Sequence, residues 1–202
     1  MTPAGAIQLE RYGLMDRKTL EMLMLSALRK KNFTHAVDLA FTYGCRSAPS
    51  IPTGLEIWAR DVRRLDLIFA NKPALLASVP EDVLEQLRLV AGLWHLLGKD
   101  EPLQAVRPAN GHVPGTHIGS RWAPNMLLLH ADFLATMETL WERSGQRPGL
   151  YITVRNVGDE FVCRSCRELA MMRFRLGDDF ELPNPLCTCE MGCRCHAHPG
   201  IY

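Results

Sequence analysis

Eight residues near the C-terminal end have types and spacing suited to metal chemistry: Cys163, Cys166, Cys187, Cys189, Cys193, Cys195, His196 and His198. Thiolate and imidazole are the ligands that hold zinc, and a Cys-x-x-Cys turn brings two sulfurs to one ion because the peptide between them folds back around it. Cys163-Arg-Ser-Cys166 has that spacing. The second group, Cys187-Thr-Cys189 followed by Cys193-Arg-Cys195, is tighter than a second Cys-x-x-Cys. Cys-x-Cys pairs can share one ion, and they also occur where ions are adjacent or clustered. Six of the seven cysteines of the chain lie in this stretch. In a reducing compartment such clustering signals metal rather than disulfides.

A tetrahedral ion needs four ligands, so eight candidates suit two separate sites, one zinc with spare thiols, or a bridged cluster. Cys163 and Cys166 anchor the first site, and two of Cys187, Cys189 and Cys193 are expected to complete it. Cys195, His196 and His198 form the surplus. The expected cofactor is therefore one or two Zn2+ ions, with an iron–sulfur cluster, which also takes four thiolates, as the lesser alternative. The ligand spacing resembles that of zinc-ribbon and zinc-knuckle sites. That resemblance covers about a fifth of the chain and implies a structural ion without naming a family. Structural zinc also answers a folding need. The stretch 150–202 holds few large apolar residues, and metal binding contributes of the order of 10 kcal/mol in comparable small modules.

Catalytic readings are weaker. A hydrolytic zinc would keep an open position beside a carboxylate base, a role for His196, His198 and Glu190, but a thiolate-rich set argues against it. The His-x-Glu and Pro-Cys-x-x-Cys pattern of zinc deaminases is missing. There is no phosphate-binding glycine loop and no Gly-x-Ser-x-Gly. His112 and His117 fall in a Gly/Pro-rich stretch and read as solvated. His95 and His130 read as hydrogen-bonded helix residues, His35 lies near a helix start, and Cys45 reads as a small apolar residue at a helix end. No catalytic residue is assigned.

The elements that must position the cysteines follow from periodicity. Apolar residues at helical spacing predict helices over about 16–31, with Leu20, Leu23, Met24, Ala27 and Leu28 inward and Arg17, Lys18 and Glu21 opposite, and over 34–43, with Gly44 as its stop. A third is predicted over 54–70, with Leu55, Trp58, Val62, Leu65 and Phe69 on its apolar face and Asp61 among its charges. Ser78-Val-Pro-Glu81 has capping-box spacing and opens a fourth, ended by Gly98. The stretch 101–123 carries prolines and glycines and reads as a linker or long ordered loop. Pro124 starts a fifth helix to about Ser144. Then the period changes: Tyr151–Val154 reads as a strand, Asn156–Asp159 as a turn, and Glu160–Cys163 as the returning strand that delivers the Cys-x-x-Cys. No fixed repeat is detected.

The fold class expected is mainly α with a small α+β C-terminal part. A helical N-terminal domain (1–100) and the 101–123 loop are followed by a 124–149 helix packing on that domain. The Cys-rich module (150–202) is a β-hairpin of zinc-ribbon or knuckle type. Formal net charge is +1, with 23 Lys and Arg against 22 Asp and Glu, so no global field draws the chain to nucleic acid or an anionic membrane. No run approaches the ~18 apolar residues of a membrane span, and the first residues lack a basic-then-apolar leader. The expectation is a cytoplasmic, non-enzymatic zinc-binding protein. Its partner is a protein or multi-subunit complex, with DNA or RNA as the alternative through Arg164, Arg167, Arg173 and Arg175.

Overall fold

The computed structural model describes residues 15–43, 53–98, 103, 105–106, 110–144 and 150–201. The expected stops at Gly44 and Gly145, the loop after Cys45, and Cys45 itself lie outside the described residues. Those residues form six α-helices and a small antiparallel sheet: α1 (Arg17–Arg29), α2 (Phe33–Thr42), α3 (Thr53–Ala70), α4 (Glu81–Leu97), α5 (Ala123–Ser144), β1 (Leu150–Arg155), α6 (Arg164–Ala170), β2 (Arg173–Arg175) and β3 (His196–Ile201). A short 3-10 turn, Ala74–Leu76, precedes α4. The protein is mainly helical, with its strands at the C-terminal end. None of the described helices is long and apolar enough to cross a membrane.

Two compact units are present. The first takes the described residues up to Phe69 together with those of Leu89–Arg107, and the second takes Ala70–Arg88 together with those from Pro108 onward. Helix α5 is thus grouped with the sheet and the cysteines.

In the first unit, α1 begins where the Asp16 carboxylate accepts from the Thr19 N–H at 3.0 Å, satisfying a donor that the helix leaves unpaired. It turns back into α2 at Lys31, whose φ of 53° is left-handed. Asn32 caps α2 through the His35 N–H, and His35 itself is exposed. Leu20, Met24, Leu25, Leu28, Ala36, Val37, Leu65, Ile68, Leu93 and Leu96 are among its buried residues. Leu20, Met24, Ala27 and Leu28 of α1 lie inward as expected, but Leu23 is exposed, whereas Glu21 is fully buried. That burial is tolerated because Arg17 lies 2.9 Å from one carboxylate oxygen and the Ala105 N–H donates to the other at 2.8 Å. A buried carboxylate persists only when paired in this way. Helix α3 departs similarly. Leu55 is exposed, and Asp61 is buried with the ring of His95, also buried, 3.2 Å from its carboxylate.

In the second unit the 110–122 stretch is ordered rather than a free linker. The Val113 N–H donates to the Ile118 carbonyl and the Ser120 N–H to the Gly111 carbonyl, which buries Val113 and Ile118 and leaves His112 and His117 exposed. Pro124 sits in the first turn of α5, where a missing N–H costs nothing. His130 on α5 is buried and lies 2.9 Å from the Leu182 carbonyl through Nδ1, as expected of a hydrogen-bonded helix residue.

The sheet corrects the expected hairpin. Its order is β2-β1-β3, both pairings antiparallel, with Ile152 opposite Phe174 and Pro199. Residues 160–163 are not a strand. The Asn156 side chain accepts from the Gly158 N–H, and the Asp159 carboxylate accepts from the Phe161 N–H. These local bonds curl the chain into a turn, as short polar side chains do when they compete with a ladder. Both edges of β1 are taken by strands from farther along the chain. Alternation along β1 buries Ile152 and Val154. Below them Phe174 stacks on Phe180 at 4.1 Å between ring centroids, and Phe180 meets the edge of Phe133 of α5. β3 lies against α5.

Candidate metal centre

The Cys-x-x-Cys does not end a strand. Cys163 is the residue preceding α6, in extended conformation, and Cys166 lies inside the first turn of that helix. One helical turn brings the two side chains to one side. The later cysteines arrive on a loop that passes Leu182-Pro183, a cis peptide, then Asn184, and then reverses at Gly192. Cys195 immediately precedes β3, so the sheet fixes the end of the loop.

All six described cysteines are unbonded to one another, and all except Cys163 are buried. Their sulfurs fall into two groups in which every sulfur lies within 4.8 Å of every other: Cys163, Cys166, Cys187 and Cys189 form one, and Cys166, Cys193 and Cys195 form the other. Cys166 belongs to both. The Cys166 and Cys193 sulfurs are 3.9 Å apart, close to the about 3.8 Å edge of a tetrahedron with metal–sulfur bonds of about 2.3 Å. Either group can hold a metal ion.

Backbone and side-chain amides point at the sulfurs. The Thr188 N–H donates to Cys163 Sγ at 3.4 Å, the Cys163 N–H to Cys189 Sγ at 3.3 Å, the Cys189 N–H to Cys187 Sγ at 3.4 Å, and the Asn184 N–H to Cys193 Sγ at 3.3 Å. The Asn184 side-chain amide approaches Cys166 Sγ at 3.6 Å. Donors aimed at sulfur favour the thiolate, the form that binds metal. Burial opposes ionisation of Cys163. Hydrogen bonds from the Ser165 hydroxyl, from the N–H groups of Thr188 and Cys166, and with Cys189 outweigh it and bring the thiol down to about 5. Thiol contacts from Cys166, Cys187 and Cys195 likewise lower Cys193, while contacts with Cys166 and Cys193 raise Cys187 and Cys195.

Three residues that motif spacing did not single out support the cysteines. Asn184 serves Cys193 and Cys166, and its side-chain oxygen accepts from the Leu186 N–H. The Ser165 hydroxyl lies 3.3 Å from Cys163 Sγ and donates to the Leu186 carbonyl, tying α6 to the incoming loop. Asp159 takes both terminal nitrogens of Arg194, at 2.5 and 2.8 Å, a bidentate pair that joins the turn before Cys163 to the Cys193–Cys195 segment. Of these, only Asp159 fell in a stretch whose sequence announced a turn, Asn156–Asp159.

His196 and His198 are not brought to the sulfurs. Both are exposed residues of β3, opposite Arg155 and Thr153 respectively. Glu190 is exposed and joins neither group.

Gly192 carries the reversal of the loop. Its φ is +74°, and its N–H donates to the Cys189 carbonyl at 2.8 Å. A Cβ there would come within 2.8 Å of the Met126 thioether on α5. Gly192→Ala is expected to destabilise the metal-loaded protein by about 1–3 kcal/mol, through left-handed strain and overpacking together. Chemical denaturation checks this, and an unchanged midpoint would refute it. Comparison of the chain with protein-family models, curated proteins and solved structures found no match.

Proposed function

We propose that the protein is a non-enzymatic zinc-binding interaction protein, a component of a larger macromolecular assembly, in which structural zinc holds the cysteine-rich module as a rigid platform for a protein partner. One observation carries this reading: the segments anchored by the buried thiol cluster leave large apolar side chains in solvent. Val157 and Phe161 precede Cys163, Met171 and Met172 follow α6, and Leu186 precedes Cys187. Their exposures run from 50% for Val157 to 78% for Met171. Of the nine large hydrophobic residues exposed among the described residues, these five fall in this one segment. Apolar side chains concentrated in this way suit a protein interface. Zinc rather than a harder cation follows from the all-sulfur ligand set.

Three of the four arginines proposed for nucleic acid make side-chain contacts of their own. Arg164 pairs with Glu168 at 2.6 Å, Arg167 reaches the Glu160 carbonyl, and Arg173 lies over the Tyr151 ring. A hydrolytic zinc draws no support from His196, His198 or Glu190, which stand apart from the sulfurs.

The test is the solution complex of the tagged, metal-loaded chain. A protein should co-purify in stoichiometric amount, survive nuclease treatment, and bind at least about 10-fold more weakly to Phe161→Asp or Met171→Asp, whose metal content is unchanged. Binding abolished by nuclease, with a steep loss of affinity as salt rises, would instead establish the nucleic-acid alternative.

A further inference from the structure

Six sulfurs gathered in one place pose a counting problem. Two tetrahedral ions require eight sulfur positions, and six thiolates supply eight only when two of them each bind both ions. A single ion leaves two buried thiols idle. The geometry distinguishes these cases because the two sulfur groups are not disjoint. Cys166 lies within 4.8 Å of all three partners in the first group and of both partners in the second. It is also 1% exposed, so its sulfur faces only the cluster and its supporting amide. The second group has three sulfurs and needs a fourth from the first; of the three that remain there, Cys187 is the most deeply buried, and its thiol also meets that of Cys193, a member of the second group alone. Cys163 and Cys189 stand at one end, and Cys193 and Cys195 at the other.

We propose that the cysteines form a binuclear, thiolate-bridged cluster holding two divalent ions of the zinc type, with Cys166 and Cys187 as bridges, Cys163 and Cys189 as terminal ligands of one ion, and Cys193 and Cys195 as terminal ligands of the other. This inference rests on the metal-binding reading above and deepens it. No histidine is required, which accords with His196 and His198 lying outside both groups. Each bridge shares its charge between two cations, so six thiolates are balanced more fully than four around one ion with two spare thiols beside it. The five amide donors described above fall on five different sulfurs and offset the remaining negative charge. The bridge also explains the tight Cys-x-Cys spacing. Cys187 and Cys189 are held to the first ion, yet Cys187 must still touch the second.

The experiment uses the full chain, purified reduced and loaded with 113Cd2+ in place of zinc. Native mass spectrometry is expected to count two ions per chain. Proton–cadmium correlation spectra are expected to show the β-protons of Cys166 and Cys187 coupled to both cadmium resonances, and those of the other four cysteines coupled to one each. One ion per chain would overturn the binuclear cluster while leaving a structural zinc intact. Two ions with no cysteine coupled to both, or with His196 coupled to one, would overturn the bridging. No bound ion at all would overturn both this inference and the reading beneath it. Because these measurements use the unsubstituted protein, they do not depend on a cysteine variant that folds.

Discussion

Chelation of the metal under reducing conditions is expected to unfold the segment 150–201 while most of the helical signal survives. The segment buries few large apolar side chains: Ile152, Val154, Val162, Phe174 and Leu182 are those buried among its described residues. Its only helix is the seven-residue α6, too short to be stable alone. Structural zinc contributes about 10 kcal/mol or more in small modules of this kind, which is as much as the whole stability of a typical domain. The helices α1 to α5 contain most of the helical residues and none of the described cysteines. Far-ultraviolet circular dichroism should therefore fall only modestly on chelation. Limited proteolysis should open cleavage sites between Leu150 and Ile201, and added zinc should close them. A metal-free segment that stays protease-resistant, with dispersed amide resonances, would refute a structural role for the ion.

Among single substitutions of the cluster, Cys166→Ser is expected to have the largest effect. Every other described cysteine belongs to one sulfur group, and Cys166 belongs to both. It is also planted in α6, so its sulfur cannot move to accommodate a change without moving the helix. Serine would leave a buried hydroxyl among thiols and deprive both groups of a shared ligand. The expected result is loss of tightly bound metal and a destabilisation above about 4 kcal/mol, in the range reserved for lost metal sites and broken buried networks. Cys195→Ser should be milder, because the group of Cys163, Cys166, Cys187 and Cys189 is left whole. Metal content after extensive dialysis, read beside the unfolding midpoint, separates the two. Equal retention of metal by both variants would show that Cys166 is not shared.

What was readable from residue order was local in origin. Asp16 and the Ser78–Glu81 segment announce helix starts, Gly98 announces a stop through its φ of +94°, and the switch to alternation at Tyr151 announces β1. Each signal involves residues within a few positions of one another. The clustering of thiols able to hold a metal ion was readable in part for the same reason, since the Cys-x-x-Cys and Cys-x-Cys spacings are short-range properties. Strand partners were not. A period of two identifies a strand but carries no register, so the choice of β2 and β3 over residues 160–163 was settled by hydrogen bonds across as many as 51 positions, from Leu150 to Ile201. Most of the expected inward residues of α1, and Leu65 and Phe69 of α3, are buried, but Glu21 and Asp61 were misplaced on the charged faces because they are buried by groups remote in the chain, the Ala105 N–H and His95.

The chain by itself determined that its last forty residues or so concentrate thiols and imidazoles that could hold a metal ion, eight residues in all. Tertiary structure arranged them in space. It placed His196 and His198 as exposed residues of β3, gathered all six described sulfurs, and set Cys166 where two groups meet. Ligand identity is written in side-chain type, but ligand sharing depends on where a helix turn and a returning loop place their sulfurs in space, and that distance is fixed by packing rather than by spacing along the chain.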